Sequence, residues 1–114
     1  MSGERVENAP AKIQATIETE DFVIGNEYPV KIKVLGMEKG HTISFEFKAF
    51  GSIRLSDEEK WYSSLSSDGE EPSLTFNIRA VEVGIGSLEI DSYYKTRWLS
   101  RIKFENIEVK LQSK

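Results

Sequence analysis

Residues 90–104 read IDSYYKTRWLSRIKF and set Lys95, Arg97, Arg101 and Lys103 among Tyr93, Tyr94 and Trp98. Cations interleaved with aromatic rings can neutralise phosphates and stack on bases, and the same residue types anchor protein interfaces. Two acidic runs stand apart from this stretch: Asp57, Glu58 and Glu59, and Asp68 with Glu70 and Glu71. Paired carboxylates are the equipment of glycoside hydrolysis and, as hard oxygen ligands, of Ca²⁺ binding. Serines are abundant beside one histidine, His41, which together are the raw material of a nucleophile and its base.

Most of this chemistry lacks the spacing it needs. No G-x-S-x-G elbow is present to expose a serine, and His41 follows Gly40 in a loop at the head of a strand. Adjacent acids on a short turn are ordinarily solvated charge, and neither acidic run has the D-x-[DN]-x-[DN]-G order of an EF-hand loop. Gly84 and Gly86 lie between two strand patterns with no helix after them, so a phosphate would find no helix dipole there. The chain has no cysteine and one histidine, which removes disulfides, thiolate sites and multi-histidine metal sites. The expectation is a non-enzymatic chain without metal or cofactor, with Ca²⁺ at the acidic loops left open.

The elements that position these residues are strands. Ala11, Ile13, Ala15 and Ile17 alternate with polar residues, as do Tyr28, Val30, Ile32 and Val34, then Ile43, Phe45, Phe47 and Ala49. Pro29 cannot donate to a ladder and belongs near a strand start. Leu74, Phe76, Ile78 and Ala80 repeat the pattern, followed by Leu88 and Ile90 inward with Glu89 and Asp91 outward. In the last stretch the apolar set is Trp98, Ile102 and Phe104, then Ile107, Val109 and Leu111. The change from even to odd positions predicts a bulge at Glu105–Asn106. Between these runs, residues 57–65 have no period of two. Ser56 and Glu59 have capping-box spacing, and Trp61 and Leu65 would share a helix face, so one or two helical turns are expected there.

Strand phase also bears on the basic stretch. It puts Arg97, Leu99, Arg101 and Lys103 on one face and Trp98, Ser100, Ile102 and Phe104 on the other. A stacking platform needs rings and cations on the same face. Cross-strand pairing of Glu89 and Asp91 with Arg101 or Lys103 would use the cations internally, at about 0.2–1 kcal/mol per pair.

The 114 residues correspond to one domain, 11–114, preceded by a linker-like 1–10. Of all residues 30% are charged and 39% hydrophobic, the balance of a globular protein. No apolar run reaches the ~18 residues of a membrane span, and the first residues carry no apolar signal-peptide core. With the lack of cysteine, this points to a cytoplasmic setting. The net charge of −4 divides unevenly: residues 1–92 hold 9 basic and 17 acidic groups, and residues 93–114 hold 6 and 2.

About seven strands at 8–12-residue spacing describe an all-β antiparallel sandwich. The closing stretch, SLTFNIRAVEVGIGSLEIDSYYKTRWLSRIKFENIEVKL, resembles the second half of immunoglobulin-like modules, including fibronectin-III-like and macroglobulin-like domains. The shared features are an alternating strand, a glycine corner, a strand ending in tyrosine, a hairpin and a long last strand. The resemblance implies an Ig-like sandwich acting as a protein-interaction or spacer module of a larger protein, with Tyr93 or Tyr94 as a tyrosine corner. No Cys–Trp–Cys framework accompanies it. The partner-binding residues are expected to be Tyr93, Tyr94, Lys95, Arg97 and Arg101, facing an acidic or polar protein surface. A nucleic-acid-binding β-domain using 93–103 is the alternative. Homodimer formation by edge-strand pairing along the last strand stays open. Replacing Arg97 and Arg101 with Glu is expected to leave the fold intact and to abolish partner binding.

Overall fold

The computed structural model describes residues 12–19, 21–36, 40–66 and 72–111. Nine strands are found among them: β1 Lys12–Ile17, β2 Phe22–Val23, β3 Glu27–Leu35, β4 Thr42–Gly51, β5 Ile53–Leu55, β6 Tyr62–Ser66, β7 Ser73–Ala80, β8 Gly84–Tyr94 and β9 Arg97–Lys110. They form a four-stranded sheet, order β1-β3-β7-β5, and a five-stranded sheet, order β2-β9-β8-β4-β6. All pairs are antiparallel except the short β2–β9 pair. Apolar alternation is the cause: a period of two puts one set of each strand against the other sheet. Val30, Ile32 and Val34 of β3 and Phe76, Ile78 and Ala80 of β7 thus meet Ile43, Phe45 and Phe47 of β4 and Leu88 and Ile90 of β8, all buried. Phe47 and Phe76 stack across the two sheets with ring centroids 4.0 Å apart.

Pro29 is the third residue of β3 and exposed. The β1 ladder ends at Ile17 opposite Val30, so no N–H is required of Pro29 on that side.

The expected helical segment is shorter than its sequence pattern. A single 3₁₀ turn, Glu58–Lys60, is capped by Asp57, whose Oδ1 accepts from the Glu59 N–H at 3.1 Å. Ser56 is not the cap, and its Oγ is buried without a hydrogen-bond partner. Tyr62–Ser66 is a strand instead, paired along β4 with Leu65 opposite Ile43. Leu65 gains core contact only in the extended form, and that tertiary gain outweighs a weak local preference. Trp61 consequently stays exposed.

The bulge expected at Glu105–Asn106 is present. Gly86 pairs with Ile107 and Leu88 with Phe104, so two residues of β9 oppose one of β8. Asn106 takes φ 62°, a left-handed conformation that asparagine tolerates. A second bulge was not expected. Ser92 pairs with Ser100 and Tyr93 with Trp98, leaving Leu99 without a counterpart.

Neither Tyr93 nor Tyr94 is a tyrosine corner, because their hydroxyls meet the side chains of Glu46 and His41. Tyr28 bonds backbone instead: its hydroxyl accepts from the Val23 N–H at 2.7 Å and pins β2 to β3. No helix among the described residues is long and apolar enough to cross a membrane. The acidic run at 68–71 and the expected linker 1–10 lie outside the described residues.

Candidate binding face

The Leu99 bulge decides which side chains share a surface. Leu99 and Ser100 both turn toward the interior, where Ser100 Oγ meets the buried Ser92 Oγ at 2.8 Å. Trp98 is thereby carried to the outer face of the five-stranded sheet, 54% exposed, opposite Tyr93 and on the same side as Arg101 and Lys103. The expected separation of Trp98 from the cations is therefore overturned, since one extra residue reverses strand phase.

Three rows cross this face. The first runs Ser64, Ser44, Tyr93, Trp98; the second Tyr62, Glu46, Asp91, Arg101; the third Lys48, Glu89, Lys103. Trp61 adds its ring beside Tyr62, centroids 5.6 Å apart, and both are about half exposed. Beyond the third row, Phe50 and Ile85 flank a shallow groove of about 320 Å³ that reaches Asn106 at the bulge.

Asp91 is the anchor of the middle row. It points outward yet is 2% exposed, beneath Arg101 and Trp98. Arg101 clasps it with two bonds, Nε to Oδ1 at 2.8 Å and Nη2 to Oδ2 at 3.2 Å, and the Trp98 indole N–H donates to Oδ1 at 3.3 Å. The planar guanidinium matches the carboxylate fork. The Arg101 bond, more than burial opposes it, holds the Asp91 carboxyl below its ordinary 3.8. The Tyr93 hydroxyl, desolvated and donating to Glu46 Oε1 at 3.2 Å, is pushed above its ordinary 10.0. Lys103 bonds Glu105 at 3.1 Å and Glu89 at 3.7 Å, and the Glu105 bond raises its ammonium above the ordinary 10.5.

A pH dependence follows. A carboxyl depressed in the folded state stabilises the fold above its unfolded value, near 3.9. That stabilisation is lost as pH falls through the lower folded value. Thermal unfolding of Asp91→Asn is thus expected to fall short of the parent by most at neutral pH, and the gap to close as pH falls through the lowered folded value of Asp91, read by circular dichroism across a pH series.

The five expected residues do not form one site. Tyr93 and Arg101 lie on the outer face. Tyr94 pairs with Arg97 at the hairpin end and bonds His41 Nδ1 at 2.6 Å, with Lys95 Nζ 5.4 Å above its ring. Lys95 occupies the turn with φ 58°. Arg97 is exposed and, among the described residues, has no ion-pair partner. Sequence reading missed Tyr62, Trp61, Phe50 and the depth of Asp91. The adjacent apolar pair Trp98-Leu99, of which alternation can bury one, marks an irregularity there without saying which residue is extra. Charge reversal at Arg101 is expected to cost stability, because it would set a second carboxylate over Asp91.

No group of three or more His, Asp or Glu that could hold a metal occurs among the described residues. The acids Asp57, Glu58 and Glu59 are exposed on the 3₁₀ turn.

No family model matches the chain, and no curated protein matches it. Among solved structures, the human F-spondin reeler domain is similar to it, at TM-score 0.50 and 11% identity, covering 82% of this chain and 88% of that one. At that identity the likeness shows the fold alone: an all-β chain of two sheets.

Proposed function

We propose that this chain is a non-catalytic protein-interaction module of Ig-like sandwich architecture, part of a larger protein or assembly, that presents the outer face of its five-stranded sheet to a protein partner. The observation that carries this reading is the exposure of Trp98, Tyr62 and Arg101 on one face. Tryptophan, tyrosine and arginine dominate binding energy at protein interfaces. Arg101 is already locked by Asp91, so little side-chain entropy remains to be lost on binding. The surrounding cations and carboxylates suit a polar partner rim.

The placement of Trp98 beside Arg101 also answers the main objection to nucleic-acid binding. Against that alternative, the face holds three cations, Lys48, Arg101 and Lys103, and four carboxylates, Glu46, Glu89, Asp91 and Glu105. A phosphate chain crossing the whole face would meet more carboxylates than cations. Oligonucleotide affinity falling steeply with salt would favour the alternative.

The test is the double variant Trp98→Ala with Tyr62→Ala. It is expected to fold and to bind the partner captured by the parent protein at least ~10-fold more weakly, measured by biolayer interferometry. Equal binding by the folded double variant overturns this reading.

A further inference from the structure

The long last strand has an open side. Strand β2 pairs with β9 only through Phe22–Val109 and Val23–Lys110, and on the side of β9 away from β8 no described strand lies along residues 97–107. Unpaired N–H and C=O groups there are a template for a further strand. Between the two sheets at this edge runs a groove of about 340 Å³ lined by apolar Ile17, Phe22, Phe104 and Ile107 and by polar residues that include Glu105 and Glu108. Ile102 and Phe104 are only partly buried over the core. The edge is regular between the two bulges, over residues 100–104.

We propose that this edge receives an extended peptide segment of a partner protein by strand addition, and that the segment alternates acidic and apolar residues. The inference rests on the reading of the chain as an interaction module, and it names the mode and the ligand. The charge rows give the sign. The third row alternates, Lys48 then Glu89 then Lys103, and the second ends Asp91 then Arg101. Both rows stop at the open edge on a cation. Opposite charges directly across a ladder stabilise it and like charges oppose it, so the next strand carries acids opposite Arg101 and Lys103. The residues opposite Ile102 and Phe104 point inward, where an apolar side chain covers these two and the groove. Main-chain bonds supply affinity and the alternate side chains supply choice, as in other strand-addition complexes. A second copy of this chain fits poorly. Setting Ile102 against Ile102 brings Arg101 against Lys103 twice, and setting Ile102 against Phe104 brings Lys103 against its own counterpart, with Arg101 opposite Glu105 only where the bulge ends the regular edge.

The probe is an acetylated, amidated peptide Thr-Val-Glu-Val-Glu-Val-Thr, titrated at low salt into ¹⁵N-labelled protein, with a control carrying lysine for glutamate. The expected result is shifted amides and slowed exchange over residues 100–104 with the glutamate peptide alone, weakened about threefold by Lys103→Gln. The proposal is overturned by silence at roughly 1 mM peptide, by equal response to the lysine peptide, or by shifts confined to Tyr62, Tyr93 and Trp98. It is also overturned if the unliganded protein sediments as a dimer with these amides already protected. None of these results touches the loss of partner binding expected of Trp98→Ala with Tyr62→Ala, so the two readings fail separately.

Discussion

Arg101→Glu is expected to lower the midpoint of thermal unfolding by ~5–10 °C, while Arg97→Glu leaves it unchanged. The two arginines are four residues apart in the same strand and differ in what lies beneath them. Asp91 is buried and ionised, and Arg101 supplies two of its three side-chain hydrogen bonds. A carboxylate deprived of its partner keeps its desolvation cost without the compensating attraction. A glutamate there adds repulsion from Asp91, Glu89 and Glu46 on the same face. Arg97 sits exposed at the hairpin end with no such obligation among the described residues. Differential scanning calorimetry of both variants at neutral pH reads the contrast. Low pH should narrow it, because protonated Asp91 no longer needs the guanidinium.

Phe47→Ala is expected to cost about 3–5 kcal/mol, while Trp98→Ala and Tyr62→Ala each cost about 1 kcal/mol or less. Phe47 is 2% exposed, stacks on Phe76 of the other sheet and lies 6.3 Å from Phe45. Its truncation opens a cavity at the meeting of the sheets, where the well-packed strands relax little. A domain of this size is stable by only about 5–15 kcal/mol, so the loss is a large share of the total. Trp98 and Tyr62, by contrast, keep about half their surface in water. Trp98 gives up one bond to Asp91 when removed. Urea unfolding of the three variants separates rings that hold the core from rings that wait on the surface.

How much of this was legible follows from where alternation holds. Val30, Ile32, Val34, Ile43, Phe45, Phe47, Phe76 and Ile78 were readable as core because each strand is uninterrupted through them. The phase change at Glu105-Asn106 was readable because the apolar set moves from even to odd positions. The pairing of Glu89 and Asp91 with Lys103 and Arg101 was readable as charge complementarity between neighbouring strands. The Leu99 bulge was not. Trp98, Ile102 and Phe104 keep one parity across it, and only the cross-strand register reveals that Leu99 is the extra residue. With that bulge hidden, Trp98 was assigned to the core and the exposed aromatic row with Tyr93 was lost. The strand Tyr62–Ser66 was hidden for a different reason. The acidic start at 57–59 reads locally as a helix N-terminus, and the pairing of Leu65 with Ile43 is a long-range contact.

The most direct measurement of whether the outer face is the binding surface is photo-crosslinking in cells that make the protein. A benzophenone amino acid would replace Trp98 in one variant, Tyr62 in a second and Lys31 in a third. Lys31 is exposed on the four-stranded sheet, away from the proposed surface. The expected result is the same discrete protein adduct from positions 98 and 62 and none from 31. Adducts from position 31 with none from 98 and 62 would contradict the assignment of the face.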